Sequence, residues 1–251
     1  MTSSSGHILI LAGTFEARRV ASSLSNAMPD TRLTVSFSGA VRDLPELAVP
    51  TRVGGFGGVA GLGDYINRAG ISLIIDATHP FAFQMSCNAA AAAEMTGCEI
   101  IRLERAPWEP EAGDRWRSAA NFEDAKAALD TEARAFFAVG RKEIGRFTDR
   151  TDLFGLVRMI EPPKHALPDH WKLVLSRPSQ QVEEEMELFA KYRIDTLVSK
   201  NSGGTRAYAK IAAARNLKLP VIMIERPRLP TTKTAESVAE ILRIAGHLAN
   251  H

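Results

Sequence analysis

Short apolar runs recur along this chain, each followed by a longer stretch in which apolar residues return every three or four positions. A continuous apolar run bounded by turn residues suits a strand buried on both faces, and the longer period suits an amphipathic helix. The segments "HILILAG" (7–13), "RLTVSFSG" (32–39), "TRVGGF" (51–56), "SLIIDAT" (72–78) and "CEIIRLER" (98–105) read as strands. Helices are expected between them at 16–27, 59–70 and 81–97.

The pattern breaks at "APWEPEAGDRW" (106–116), where prolines, a glycine and charges suggest a hinge loop. It then restarts. Strands are expected at 134–140, 153–160, 171–177, 194–201 and 220–226. Helices are expected at 121–129, 142–147, 179–192, 204–218 and 236–250. Alternation of this kind predicts an α/β fold with mostly parallel sheets flanked by helices. It divides into two halves, 1–108 and 109–251, with a cleft between them where the carboxyl ends of the strands meet.

Composition narrows the function classes. The chain has 251 residues, 45% hydrophobic and 24% charged, with a net charge of +2, as in a soluble globular protein. That charge is too mild for a nucleic-acid-binding face. No apolar stretch reaches the roughly 18 residues of a membrane span, and the start "MTSSSGHILILAG" lacks a basic leader, so a cytoplasmic protein is expected. Cys87 and Cys98 are read as buried small side chains. His165 and His170 have no cysteine or paired acid beside them, so no metal site is expected. The acidic run in 179–192 reads as a solvated face.

Candidate chemistry gathers where strands end. In "ILILAGTFEARRVA", Gly13 lets backbone approach an anion at a helix N-terminus. The Thr14 hydroxyl can donate to phosphate or cap the helix, and Glu16 falls in the first turn. The usual G-x-G-x-x-G is absent, so an ordinary capped turn is the alternative. The second strand ends in Ser36, Ser38, Gly39 and Arg42 before any acid. Hydroxyls and an arginine suit a 2′-phosphate, favouring NADP over NAD, although Asp43 would restore an acid if the register moved by one. The glycine-rich "GGFGGVAGLG" (54–63) reads as a tight connection rather than a second anion loop.

The strand "LIID" runs into "ATHPFA", and Pro80 should hold Thr78 and His79 at its carboxyl end while opening the next helix. The second half repeats the arrangement: Lys200 and Asn201 end a strand, and Ser202, Gly203 and Gly204 open a helix. Such a turn could hold cofactor phosphate, nicotinamide amide or a substrate carboxylate, or be a capped turn and nothing more. "VGRKEI" puts Arg141 and Lys142 at another strand end, where cations suit carboxylates; Arg206 and Arg105 are weaker candidates.

Taken together, "ILILAGTFEARRVA", "IDATHPFA", "VGRKEI" and "VSKNSGGTRAYAKIAAARNLKLPVIMIERP" resemble the precorrin-6A reductases of cobalamin biosynthesis, in order and over nearly the whole length. The resemblance implies two Rossmann-like domains and NADPH-dependent reduction of one double bond in a carboxylate-rich tetrapyrrole, giving precorrin-6B. With the readings of the strand ends above, the expected cofactor residues are Gly13, Thr14, Glu16, Ser38, Gly39, Arg42, Thr78, His79, Pro80, Lys200, Asn201, Ser202, Gly203 and Gly204, and the expected substrate residues are Arg141, Lys142 and Arg206. His79 is the candidate general acid; the alternative is that it only bonds the cofactor or caps a helix. A monomer or weak homo-oligomer is expected. Rival readings are a cobalt-precorrin-6A reductase, a nucleotide-sugar transferase built on two such folds, and a non-catalytic NADP sensor.

Overall fold

In the computed structural model, residues 6–39 and 48–249 are described. Two six-stranded sheets carry the fold, and every strand pairing in both is parallel. The first contains β1 (His7–Ala12), β2 (Arg32–Phe37), β3 (Thr51–Val53), β4 (Ile71–Asp76), β5 (Glu99–Leu103) and β12 (Lys233–Ala235). The second contains β6 (Arg115–Ala119), β7 (Arg134–Ala138), β8 (Phe154–Met159), β9 (Lys172–Leu175), β10 (Thr196–Lys200) and β11 (Pro220–Ile224). Their orders are β12-β5-β4-β1-β2-β3 and β6-β11-β10-β7-β8-β9. Each therefore reverses direction of growth once, between β1 and β4 in one and between β7 and β10 in the other.

The absence of alternation in β1 is explained by burial on both faces. Ile8 and Ile10 join Val20 and Leu24 of α1 (Phe15–Ala27) and Ile241 of α7 (Val238–Ala249) in one core. Leu9 and Leu11 point the other way, to Leu62 of α2 (Gly58–Ala69) and Ala89 of α3 (Phe83–Thr96). In the second sheet Phe136, Leu197 and Val221 pack against Phe189 of α5 (Val182–Lys191) and Ile211 of α6 (Ala209–Asn216). Phe137 stacks on Trp171 with ring centroids 4.9 Å apart, and α4 (Phe122–Ala127) completes the helix set. A fully buried side chain of this size contributes roughly 1.5–3 kcal/mol, so these layers dominate stability.

The expected boundary needs correction at the C-terminal side. One compact unit is 106–227; the other is 1–105 joined by 228–251, not the first half alone. The returning segment adds β12 beside β5, in register Lys233↔Ile101 to Ala235↔Leu103. Its helix α7 then buries Ile241 and Ala245 against α1. The region read as a hinge, 106–116, ends within the edge strand β6, which starts at Arg115 and pairs with β11. The helix expected at 142–147 is a single 3-10 turn, Ile144–Arg146. Gly203 and Gly204 both have positive φ, so α6 starts at Ala209, five residues later than expected.

Candidate active site

In the first unit, β1 hands over to α1 at the point where strand order reverses. Thr14 has extended backbone and caps α1: its hydroxyl accepts from Ala17 N at 3.0 Å and donates to Ala77 O at 2.9 Å. That hydroxyl proton is held by the carbonyl just after β4, and the hydroxyl oxygen makes the helix cap that the sequence also offered. The donors left for an anion are the backbone N–H groups of the first helical turn. Gly13 is exposed, and a Cβ built on it would meet no protein atom within 4 Å. The space it leaves lies over a helix N-terminus, which fits a pyrophosphate.

Beside it is a cavity of about 330 Å³ on the β4–β5 side, lined by Thr14, Glu16, Arg19, Thr78, Arg105 and Ser237, among others. Glu16 accepts from Arg105 at 2.9 Å. Burial pulls the Arg105 guanidinium down from its ordinary value, and the Glu16 carboxylate partly restores it. Ser237 caps α7 by accepting from Glu240 N, while Glu240 in turn accepts from Glu236 N. The N-termini of α1 and α7 therefore both border the cavity.

Asp76, the acid at the end of β4, is 1% exposed, and its charge is met inside the protein. It accepts from Thr78 N at 3.2 Å and Thr78 Oγ1 at 2.7 Å, and pairs with Arg102 at 3.3 Å. Thr78 is thereby fixed at the cavity wall. His79 Nδ1 accepts from Phe81 N at 3.2 Å, which sets the ring in the turn. Pro80 lies in a turn closed by Ala82 N to His79 O, ahead of α3, rather than in the first turn of the helix.

At the far end of the sheet, Ser38 and Gly39 are exposed after β2, and Gly39 has a φ of +77°. Arg42 and Asp43 lie outside the described residues. A different arginine reaches this edge. Arg52 on β3 donates to Ser36 Oγ at 2.8 Å and to the carbonyls of Gly54 and Gly55, and lies 3.8 Å from the centre of the Phe56 ring. The signal was legible only through pairing, since Arg52 stands opposite Ser36 in the β2–β3 register. The glycines at 54, 57 and 58 all have positive φ, in keeping with a tight connection.

In the second unit most of "NSGG" has an internal task. Asn201 is 5% exposed, and its amide accepts from Trp108 N at 2.8 Å and donates to Trp108 O at 3.0 Å. Arg226 donates to the carbonyls of Asn201 and Ser202, and Trp108 Nε1 donates to Gly204 O. A methyl on Gly203 would run into the carbonyl oxygen of Ala106 and the Arg226 guanidinium. These residues fasten 106–108 to β10, an internal task carried by the Asn201 side chain and by Gly203.

Lys200 differs. Its side chain is 13% exposed at the end of β10, with Nζ 3.8 Å from Glu143 Oε2. Burial lowers its affinity for a proton, Glu143 raises it and Lys142 lowers it again. Arg141 is paired with Glu161 at 2.8 Å, Lys142 is exposed, and Arg206 is exposed in the turn before α6. Beneath them lies Lys210, which sequence patterning did not single out: its Nζ donates to Ala207 O at 2.5 Å and sits 4.6 Å from the Trp108 ring centre. No cluster of metal-ligating side chains occurs among the described residues.

A parallel sheet grown outward from a β1/β4 reversal, with an open glycine at the first helix, defines a Rossmann-type nucleotide-binding protein. The model of the family "Precorrin-6x reductase CbiJ/CobK" matches residues 7–245. Among relatives, the precorrin-6A reductase of Rhodococcus erythropolis is 43% identical over 96% of this chain and 98% of its own. That of Rhodobacter capsulatus is 42% identical over 97% and 96%. The solved structure of CobK precorrin-6A reductase superposes with a TM-score of 0.89 at 41% identity, covering 97% of both chains. The chain belongs to the precorrin-6x reductase family, a family of oxidoreductases that draw on a nicotinamide cofactor.

Proposed function

We propose that this protein reduces one double bond of precorrin-6A, giving precorrin-6B in cobalamin biosynthesis, with NADPH as electron donor. The observation that carries the reading is the first sheet's reversal point, where Gly13 opens over the N-terminus of α1 beside the cavity at the ends of β4 and β5. A dinucleotide laid across such a point puts its pyrophosphate on the helix N-terminus, its adenosine toward β2 and β3, and its nicotinamide toward β4 and β5. Backbone at Gly13 and the first turn of α1 would hold the phosphates, with Ser38 and Gly39 along the adenosine side. Thr78 and the Glu16–Arg105 pair border the cavity that suits the nicotinamide. When bound, the reduced nicotinamide supplies a hydride to the macrocycle.

NADPH rather than NADH is supported by Arg52, a guanidinium fork held at the carboxyl edge of β2 and β3 where a 2′-phosphate would lie. Arg42 shares that role on sequence grounds. For the substrate, Arg141, Lys142 and Arg206 offer cations at strand and helix ends of the second sheet to side-chain carboxylates of the ring. Relatives carrying the metal-free substrate in their names support precorrin-6A over its cobalt-loaded form.

Purified protein supplied with precorrin-6A should consume NADPH, accumulate a product two hydrogens heavier, and turn over faster on the metal-free than on the cobalt-loaded substrate. Absence of NADPH consumption with either substrate would overturn the reading.

A further inference from the structure

A primary carboxamide presents an acceptor oxygen beside an NH2 donor group, so it is read best by a donor and an acceptor held next to each other. The first unit holds one such pair, Glu16 and Arg105, at the wall of the cavity by the ends of β4 and β5. Other polar side chains there are committed or wet. Thr14 and Thr78 spend their hydroxyl protons on Ala77 O and Asp76 Oδ1. Arg19, Glu236 and Ser237 are exposed, where water competes for their bonds. The Glu16 and Arg105 side chains are only 27% and 17% exposed, and they reach each other from the first turn of α1 and from the chain just after β5.

The bond between them leaves the pair open to a third group. Arg105 Nη1 donates to Glu16 Oε2 at 2.9 Å, while Glu16 Oε1 accepts from no group among the described residues. A guanidinium carries five N–H donors, more than a single carboxylate oxygen takes up.

We propose that Glu16 and Arg105 read the carboxamide of the nicotinamide, Arg105 donating to its carbonyl oxygen and Glu16 Oε1 accepting from its NH2 group. This deepens the activity proposed above and rests on it. The carboxamide is attached next to the ring carbon that releases the hydride, so a ring gripped there presents that carbon in a fixed orientation. Burial disfavours the Arg105 charge and the Glu16 carboxylate supports it, which keeps the two together as a charged pair. Partial removal from water strengthens the bonds each partner makes. The pair sums to zero charge and so suits a neutral amide. A carboxylate in the same place would face Glu16 with like charge and have no N–H to offer it.

The test reads binding rather than turnover. The full chain is titrated calorimetrically with NADP+, with its nicotinic-acid analogue and with its 3-acetylpyridine analogue. The first analogue replaces the NH2 group by an anionic oxygen, the second by a methyl group. The parent protein should bind the acetyl analogue about tenfold more weakly than NADP+, and should discriminate against the acid analogue as well. Glu16→Gln removes the negative charge, and its amide can turn a donor to the ligand. Discrimination against the acid analogue should therefore fall by about tenfold or more, whereas Glu16→Asp should keep most of it. A pair that only fastens α1 to the end of β5 would leave the ratio of the two affinities unchanged in Glu16→Gln, and that result would overturn the proposal. Equal binding of NADP+ and the acetyl analogue by the parent would also overturn it, and that arm needs no variant to fold. A parent that binds none of the three dinucleotides would instead defeat the activity reading, and with it this one.

Discussion

Thr14 shows how one hydroxyl can tie a helix start to a strand end at a cavity wall. It caps α1 and tethers β4 through Ala77, so Thr14→Ala should cost about 1–2 kcal/mol, read as a lower midpoint in urea, while Thr14→Ser should retain most of it. Arg52 acts at the opposite end of the sheet. If it meets the 2′-phosphate, Arg52→Ala loses a charge-assisted bond of roughly 1.5–3 kcal/mol, and KM for NADPH should rise by about tenfold or more while KM for NADH barely moves. Equal losses would remove the role. Arg42→Ala gives the parallel test for the arginine that the sequence nominates. Lys210 makes a stability prediction. Burial, helped by Arg158, pulls its ammonium down to about 7. The unfolded chain therefore binds this proton more tightly, and stability should rise with pH from about 7 toward the ordinary lysine range. Lys210→Met should flatten that rise and stabilise the protein near neutrality, since an apolar replacement avoids burying a charge. A rise in denaturation midpoint with pH that persists in the variant would contradict this.

At the scale of elements, strand ends and the turns after them were only half legible. Buried parallel strands such as β1 and β4 announce themselves by unbroken apolar runs. By contrast β6, "RWRSA", buries only Ala119, and β12, "KTA", is three residues long. Each lies at a sheet edge, where one partner suffices and side chains face solvent, so neither leaves an apolar signature. The "SKNSGG" turn was legible as special but not in its purpose. Its polarity and glycines reflect a close approach of 106–108, which lies some ninety residues earlier in the chain and no local pattern reveals. Lys200, at the end of β10, instead sets its ammonium 3.8 Å from Glu143. Asn201→Ala should therefore act as a structural change, leaving Trp108 N and O unpaired at about 1–3 kcal/mol for each buried group. The expected readout is a lower Tm with unchanged KM for NADPH; loss of cofactor affinity at unchanged Tm would restore Asn201 as a contact.

For the molecule as a whole, the chain leaves its first unit at Arg105 and returns at Arg228. The returning stretch supplies the last strand of the first sheet, the helix that buries Ile241 and Ala245, and Ser237 at the cavity wall. A chain ending at Pro227 should thus expose the apolar face of α1 and fail to bind NADPH, even though every segment before Arg105 is intact. Sequence order suggested a clean division after residue 108 because nothing in a polar, proline-rich run such as "RPRLPTTK" announces a return to an earlier sheet.

The central claim is that this fold takes a hydride from NADPH and delivers it to precorrin-6A. Mass spectrometry of the product formed with NADPH deuterated at the transferred position of C4, in ordinary water, tests it most directly. The account predicts precorrin-6B carrying one deuterium from the nicotinamide and one hydrogen from solvent. Product without deuterium, or no reduced product at all, would contradict it.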